Sequence, residues 1–169
     1  MSFWLMKSEP DEVSIDDLAA APGQTLPWFG VRNYQARNFL RDAMNIGDLA
    51  FFYHSGCKEP GIAGICEICS EPYADETQFA IPRENFPSAT VNPYFDPKSS
   101  RDSPRWLVRD VRFVCKTRLV PLAELRRYPE LSGMRLLARG NRLSIMLLSD
   151  AEWHFIARQV LGINHFKGY

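Results

Sequence analysis

The run Leu49-Ala50-Phe51-Phe52-Tyr53-His54 constrains the fold of this chain more than any other stretch. A strand with apolar side chains at successive positions has nothing suited to water on either face, so it belongs in the middle of a covered sheet. The polar stretch Ser55-Gly56-Cys57-Lys58-Glu59-Pro60-Gly61 follows, and then the strand-like Ile62-Ala63-Gly64-Ile65-Cys66-Glu67-Ile68. The pair reads as a hairpin with a long connection, and Gly61 and Gly64 suggest a bulge or a close backbone approach.

Other segments supply neighbours for this pair. Phe3-Trp4-Leu5-Met6-Lys7 opens the chain as a strand that Ser8-Glu9-Pro10 ends, because proline removes a donor. Residues 105–115 alternate, placing Leu107, Val111, Phe113 and Cys115 on one face. Ser14 is a predicted N-cap for a helix over residues 15–21, and Asn33 for one from Tyr34 to about Met44 with Phe39, Leu40 and Ala43 as its apolar stripe. Pro121 opens a short helix that Pro129 stops. Ser149 and Glu152 form a capping-box pattern ahead of Trp153, Ile156, Ala157, Val160 and Leu161, and Gly162 ends that helix. Strands and short helices interleave without βαβ spacing. This predicts a mixed α+β domain over residues 1–163, a curved sheet or small barrel flanked by helices, with residues 164–169 as a loose tail.

Lysine plus arginine number 20 and aspartate plus glutamate 20, so no global field draws in nucleic acid and any anion site must be a local patch. This weighs against a non-specific DNA coat protein. No apolar run is long enough to span a bilayer and no leader pattern follows Met1, so the expectation is a cytoplasmic protein with no membrane partner. In that compartment Cys57, Cys66, Cys69 and Cys115 should be free thiols. Cys66 and Cys69 have metal-like spacing, but on a strand they point to opposite faces, so no metal is expected.

The chemistry is concentrated in residues 28–39, where Trp28 follows a proline and precedes Gly30. A loop ring, amides near a helix start and Arg37 and Arg41 on one helix face would suit a flat polar ring attached to phosphate. The alternative is an amphipathic helix with ordinary surface arginines and a core tryptophan. Trp106, at a strand start, leans toward core. The proline-broken stretch from Pro72 to Pro104, with Pro82, Pro87, Pro93 and Pro97, is long enough to be a functional loop, and Asn92-Pro93-Tyr94-Phe95-Asp96-Pro97-Lys98 is its most distinctive part. There is no phosphate-binding glycine loop, nucleophile elbow or zinc-protease motif. His54 could act as a base only with a partner such as Asp96 or Glu9; a histidine simply hydrogen-bonded at a strand end is the favoured reading.

Several segments resemble the EVE domain family. They are Trp4-Leu5-Met6-Lys7-Ser8-Glu9-Pro10, Gly30-Val31-Arg32-Asn33-Tyr34-Gln35-Ala36-Arg37-Asn38, Phe51-Phe52-Tyr53-His54-Ser55, Lys58-Glu59-Pro60-Gly61-Ile62-Ala63-Gly64, Asp96-Pro97-Lys98-Ser99 and Pro121-Leu122-Ala123-Glu124-Leu125. One departure is Phe29, which stands where the family has an acidic residue. The resemblance implies a PUA-like fold, a small mixed β-barrel flanked by short helices. It is similar to the YTH domains, whose Lys-Ser and first cage tryptophan would correspond to Lys7-Ser8 and Trp28. The family's association with modified bases implies a reader of DNA or RNA carrying a modified base, with no cofactor and no catalytic residue. An enzyme acting on a nucleotide, with His54, Asp96 and Glu9 as acid-base groups, is the rival, and an adaptor using the proline-rich loop a third reading.

The residue pattern and the resemblance together define an expected site. Lys7, Ser8, Glu9, Trp28, Val31, Asn33 and Tyr34 would hold the base, with Tyr53, His54, Ser55, Asp96 and Trp106; Arg32, Arg37 and Arg41 would take phosphate. Trp28, Tyr53, His54, Ser55 and the Lys7-Ser8 pair are expected around one cleft.

Overall fold

The computed structural model describes residues 1–79 and 92–166. Pro82 and Pro87 of the long loop, and residues 167–169 of the tail, lie outside the described residues. The strands are β1 (Phe3–Ser8), β2 (Thr25–Pro27), β3 (Leu49–His54), β4 (Gly61–Ile68), β5 (Tyr73–Ala74), β6 (Leu107–Val108), β7 (Asp110–Pro121) and β8 (Ile145–Leu148). The helices are α1 (Ile15–Ala20), α2 (Tyr34–Asn38), α3 (Leu122–Leu125) and α4 (Asp150–His154). The described residues form a six-stranded sheet in the order β2-β7-β4-β3-β1-β8 and a two-stranded β5-β6 sheet, the mixed α+β fold expected. β3 is central, antiparallel to β4 and parallel to β1. Among the described residues no helix is long and apolar enough to cross a membrane.

The apolar β3 is explained by what covers it. Alternation sends Phe51 and Tyr53 to one face, in a cluster with Leu5, Trp153 and Ile156, and sends Ala50 and Phe52 to the other, with Trp4, Met6, Trp28 and Leu40. Each large side chain buried in this way contributes roughly 1.5–3 kcal/mol. Gly61 and Gly64 are required by close approach. A Cβ on Gly61 would lie 2.4 Å from the Val120 carbonyl oxygen, and one on Gly64 2.5 Å from Ile15 Cδ1. The ladder also shifts register beside Gly64.

The predicted caps are present. Ser14 Oγ accepts from Asp17 N, Asn33 Oδ1 from Ala36 N, and Ser149 Oγ from Glu152 N, each at 3.1 Å. Three expectations are corrected. After Asn38 the helix widens into a π-type turn, Phe39–Ala43, in which Met44 N bonds to Phe39 O. The wider turn moves the buried stripe to Ala36, Leu40 and Met44 and leaves Ala43 exposed. Residues 105–115 do not present one face. The buried Arg109 separates β6 from β7, and a bulge pairs Cys115 with Ile65 but Phe113 with Cys66. Phe113 therefore packs with the Trp28 cluster and Cys115 with the Trp153 cluster. The tail is not loose as far as Phe166, whose ring lies 6.0 Å from that of Trp153.

Candidate functional site

Residues from both edges of the sheet line a cleft of ≈ 650 Å³. From one edge come Leu26 and Pro27 of β2 and the loop from Trp28 to Val31; from the other come Arg142 and Ser144, just before β8. The end of β1 adds Lys7, Ser8 and Glu9, the following turn Glu12 and Val13, and β3 Phe52. Ser55, Gly56, Tyr94 and Val111 complete the lining. The volume lies in the roughly 300–1,000 Å³ range of small-molecule sites.

The turn after β1 is held locally. Ser8 Oγ donates to Val13 O at 2.7 Å, and Glu9 O accepts from both Glu12 N and Val13 N at 2.9 Å. This leaves the Glu9 carboxylate with no hydrogen bond or ion pair among the described residues, at an exposed position lining the cleft. Glu12 accepts from Tyr94 Oη. Burial, and then that bond to Glu12, raises the Tyr94 phenol above its ordinary range.

The opposite wall is fixed by Asp75, a fully buried residue on the far side of the loop. Its Oδ2 accepts from Gly30 N at 2.9 Å and from Arg32 Nη1 at 3.0 Å. Arg32 also donates from Nη2 to Tyr94 O at 2.7 Å. One guanidinium thus ties the 28–31 loop to the segment carrying Tyr94. Gly30 has φ +82°, and a Cβ there would sit 2.7 Å from the Tyr94 ring, so only glycine fits.

Trp28 is placed differently from the exposed stacking ring expected. It is 7% exposed and packs edge-on against Phe52. The open alternatives merge: Trp28 is both a core residue and a wall of the cleft. Its Nε1–H has no hydrogen-bond partner among the described residues, although no buried side-chain polar atom there lacks one, so that N–H is in contact with solvent.

The structure gathers Lys7, Ser8, Glu9, Trp28, Val31 and Ser55 at the cleft. The other expected base contacts lie elsewhere. Tyr53 faces the opposite side of the sheet, where burial raises its phenol to about 12. Lys7 borders the cleft, but its ammonium lies 5.8 Å from the Tyr53 ring centroid, and burial lowers its pKa. His54 Nε2 accepts from Ile15 N at 3.1 Å, the strand-end role favoured from sequence, and burial lowers its pKa. Asn33 is engaged as a helix cap. Asp96 accepts from Trp106 Nε1 at 2.8 Å, a bond that holds its carboxyl below the usual range. Tyr34 stacks on Trp106 at 4.9 Å, away from the cleft lining. Of the three acid-base groups of the rival enzyme, only Glu9 lines the cleft.

The expected phosphate ligands are also committed. Arg32 is turned to Asp75; Arg37 donates to Asn38 Oδ1 and Arg105 O; Arg41 makes two bonds to Asp42. None of the three lines the cleft. Sequence reasoning missed Glu12, Phe29, Phe52, Tyr94, Arg142 and Ser144. Three of them had a signal: Tyr94 in the distinctive Asn92-Pro93-Tyr94 segment, Phe29 in the 28–39 stretch and Phe52 in the apolar strand 49–54.

Fold and cleft together define a mixed α+β domain whose six-stranded sheet carries a cleft with a polar rim and aromatic residues in its lining. The EVE domain model matches residues 2–159, and the chain belongs to that family. Human thymocyte nuclear protein 1 is 49% identical over 173 residues, covering 92% of this chain and 72% of the relative. The crystal structure of the human THYN1 protein in complex with 5-methylcytosine containing DNA superposes with a TM-score of 0.81 at 47% identity, covering 94% of this chain and 97% of that one. A Pseudomonas putida protein of known structure superposes at 0.82 with 42% identity, covering 95% and 100%.

Proposed function

We propose that this protein reads a modified base in DNA, of the 5-methylcytosine type, by taking the flipped nucleotide into the Trp28 cleft. The supporting observation is the cleft itself, a pocket of base-binding chemistry in a chain similar over nearly its whole length to one solved with 5-methylcytosine DNA. A flipped base gives up its stack and pairing and must regain both kinds of contact in a pocket. Trp28, Phe52 and Tyr94 supply aromatic surface, and Leu26, Val31 and Val111 supply apolar surface for a methyl group. Glu9 supplies an unengaged acceptor. A carboxylate accepts from the N4 amino group of cytosine, whereas thymine presents an oxygen at that position and is repelled. Trp28 Nε1–H offers a donor for a ring acceptor.

The reading needs no reactive group, and His54, Asp96 and Glu9 do not converge into an acid-base site. The test is fluorescence anisotropy with otherwise identical duplexes carrying cytosine, 5-methylcytosine or thymine at one position, with RNA of the same sequence as a further arm. Tighter binding of the 5-methylcytosine duplex is expected; equal affinity for all the DNAs would reject the reading.

A further inference from the structure

We infer that Arg142 is the phosphate contact of the cleft. The inference rests on the base-reading function and adds a residue to it.

Among the described residues, the cations lining the cleft are Lys7 and Arg142. The Lys7 ammonium is turned toward Tyr53 across the sheet. Arg142 is exposed and makes no hydrogen bond or ion pair among the described residues. The arginines of the 28–41 region, by contrast, all donate to protein acceptors. A guanidinium already satisfied by a carboxylate must lose that partner before it can take a phosphate; Arg142 loses nothing but water.

Its backbone is held although its side chain is free. Gly140 has φ +76°. Asn141 Oδ1 accepts from Leu143 N at 3.0 Å, and Asn141 Nδ2 donates to Arg135 O at 2.7 Å. On the other side Ser144 O accepts from Lys7 N at 2.8 Å, pinning the start of β8 to β1. The Cα of Arg142 is thus fixed at the rim, and a preorganised loop spends less entropy on binding.

Glu9 and Glu12 are the carboxylates of the cleft among the described residues, and they repel a phosphodiester. A phosphate at this rim therefore needs a cation to offset them, and Arg142 is the exposed one that lines the cleft.

The experiment is anisotropy titration of wild type, Arg142→Ala and Arg142→Lys at several salt concentrations, on 5-methylcytosine and unmodified duplexes, with Arg112→Gln as a surface control paired to Glu67. Arg142→Ala should weaken both duplexes by the same factor and flatten the slope of log affinity against log salt by about 0.9, the loss of one phosphate contact on duplex DNA. Arg142→Lys should restore the slope, and Arg112→Gln should match wild type. Unchanged slope and affinity in Arg142→Ala would overturn the assignment. So would a loss confined to the modified duplex at unchanged slope, which would make Arg142 a base contact. A wild type with no preference for the modified duplex would strike the base-reading function, while the slope on unmodified DNA still decides the role of Arg142.

Discussion

The indole of Trp28 meets the ring of Phe52 edge-on, with centroids 5.3 Å apart and planes at 79°. This contact joins the 28–31 loop to the central strand, so a residue that lines the cleft also holds the core together. Trp28→Ala should destabilise the fold by about 3–5 kcal/mol, the usual cost of removing a buried aromatic side chain. For a chain of this size that is a melting temperature lower by roughly 6–20 °C. Trp28→Phe should keep most of that packing but lose the Nε1–H donor. Melting curves and binding isotherms of both variants separate the two roles; a Trp28→Phe variant that binds like wild type would show that the indole N–H makes no contact with the ligand.

The Arg32–Asp75 pair should matter more for the shape of the site than for phosphate. Asp75 has a side chain 1% exposed and Arg32 one 21% exposed. Removing the buried acid leaves a largely enclosed guanidinium without its counter-charge and the Gly30 N–H without its acceptor. Asp75→Ala should cost about 3 kcal/mol, the low end for a broken buried pair because Arg32 retains some solvent. Urea denaturation measures this, and a cost within error of zero would show that the clamp is dispensable.

Glu9 should govern discrimination more than affinity. A bidentate or well-placed carboxylate contact is worth about 1–3 kcal/mol against the wrong base. Glu9→Gln replaces an obligate acceptor with a group that also donates, and its amide can accept thymine. The ratio of 5-methylcytosine to thymine affinity should fall toward one, with little change in melting temperature because Glu9 is exposed. An unchanged ratio in competition titrations would remove Glu9 from the recognition edge.

His54 should make stability fall as solutions are acidified. Its neutral Nε2 accepts the Ile15 N–H, and burial lowers its pKa below 6.5. A folded-state pKa below the unfolded one means that the unfolded chain binds more protons, so stability rises with pH through that interval. The contribution is complete above about pH 6.5 and is lost as pH falls toward the depressed folded value. Wild type should therefore lose more stability than His54→Gln between neutral pH and about pH 5. Parallel slopes in thermal melts across that range would show that the imidazole does not titrate on unfolding.

Helix starts and the central strand were legible without coordinates because they depend on neighbours in the chain. Ser14, Asn33 and Ser149 cap their helices through residues three positions on, and the two-sided apolar character of Leu49–His54 required a central strand. The fold class followed from these local signals, and family resemblance supplied the kind of ligand. Of the site, the strand end at Lys7-Ser8-Glu9 and the loop carrying Trp28 were placed at the cleft for the same reason: turn residues put them at element ends.

What only the tertiary structure decided is which groups remain free. An arginine in a sequence carries a charge, but whether that charge is available depends on acceptors far along the chain: Asp75 and Tyr94 for Arg32, and the Arg105 carbonyl for Arg37. The π-type turn after Asn38 and the bulge in β7 each insert one residue, and one residue is enough to rotate a helix stripe or to send Phe113 and Cys115 to opposite sides of the sheet. The arrival of Tyr94 and Arg142 at the same cleft depends on contacts between distant segments, Arg32 with Tyr94 and Lys7 with Ser144. No local pattern encodes these, because the interactions that fix them do not exist until the chain has folded.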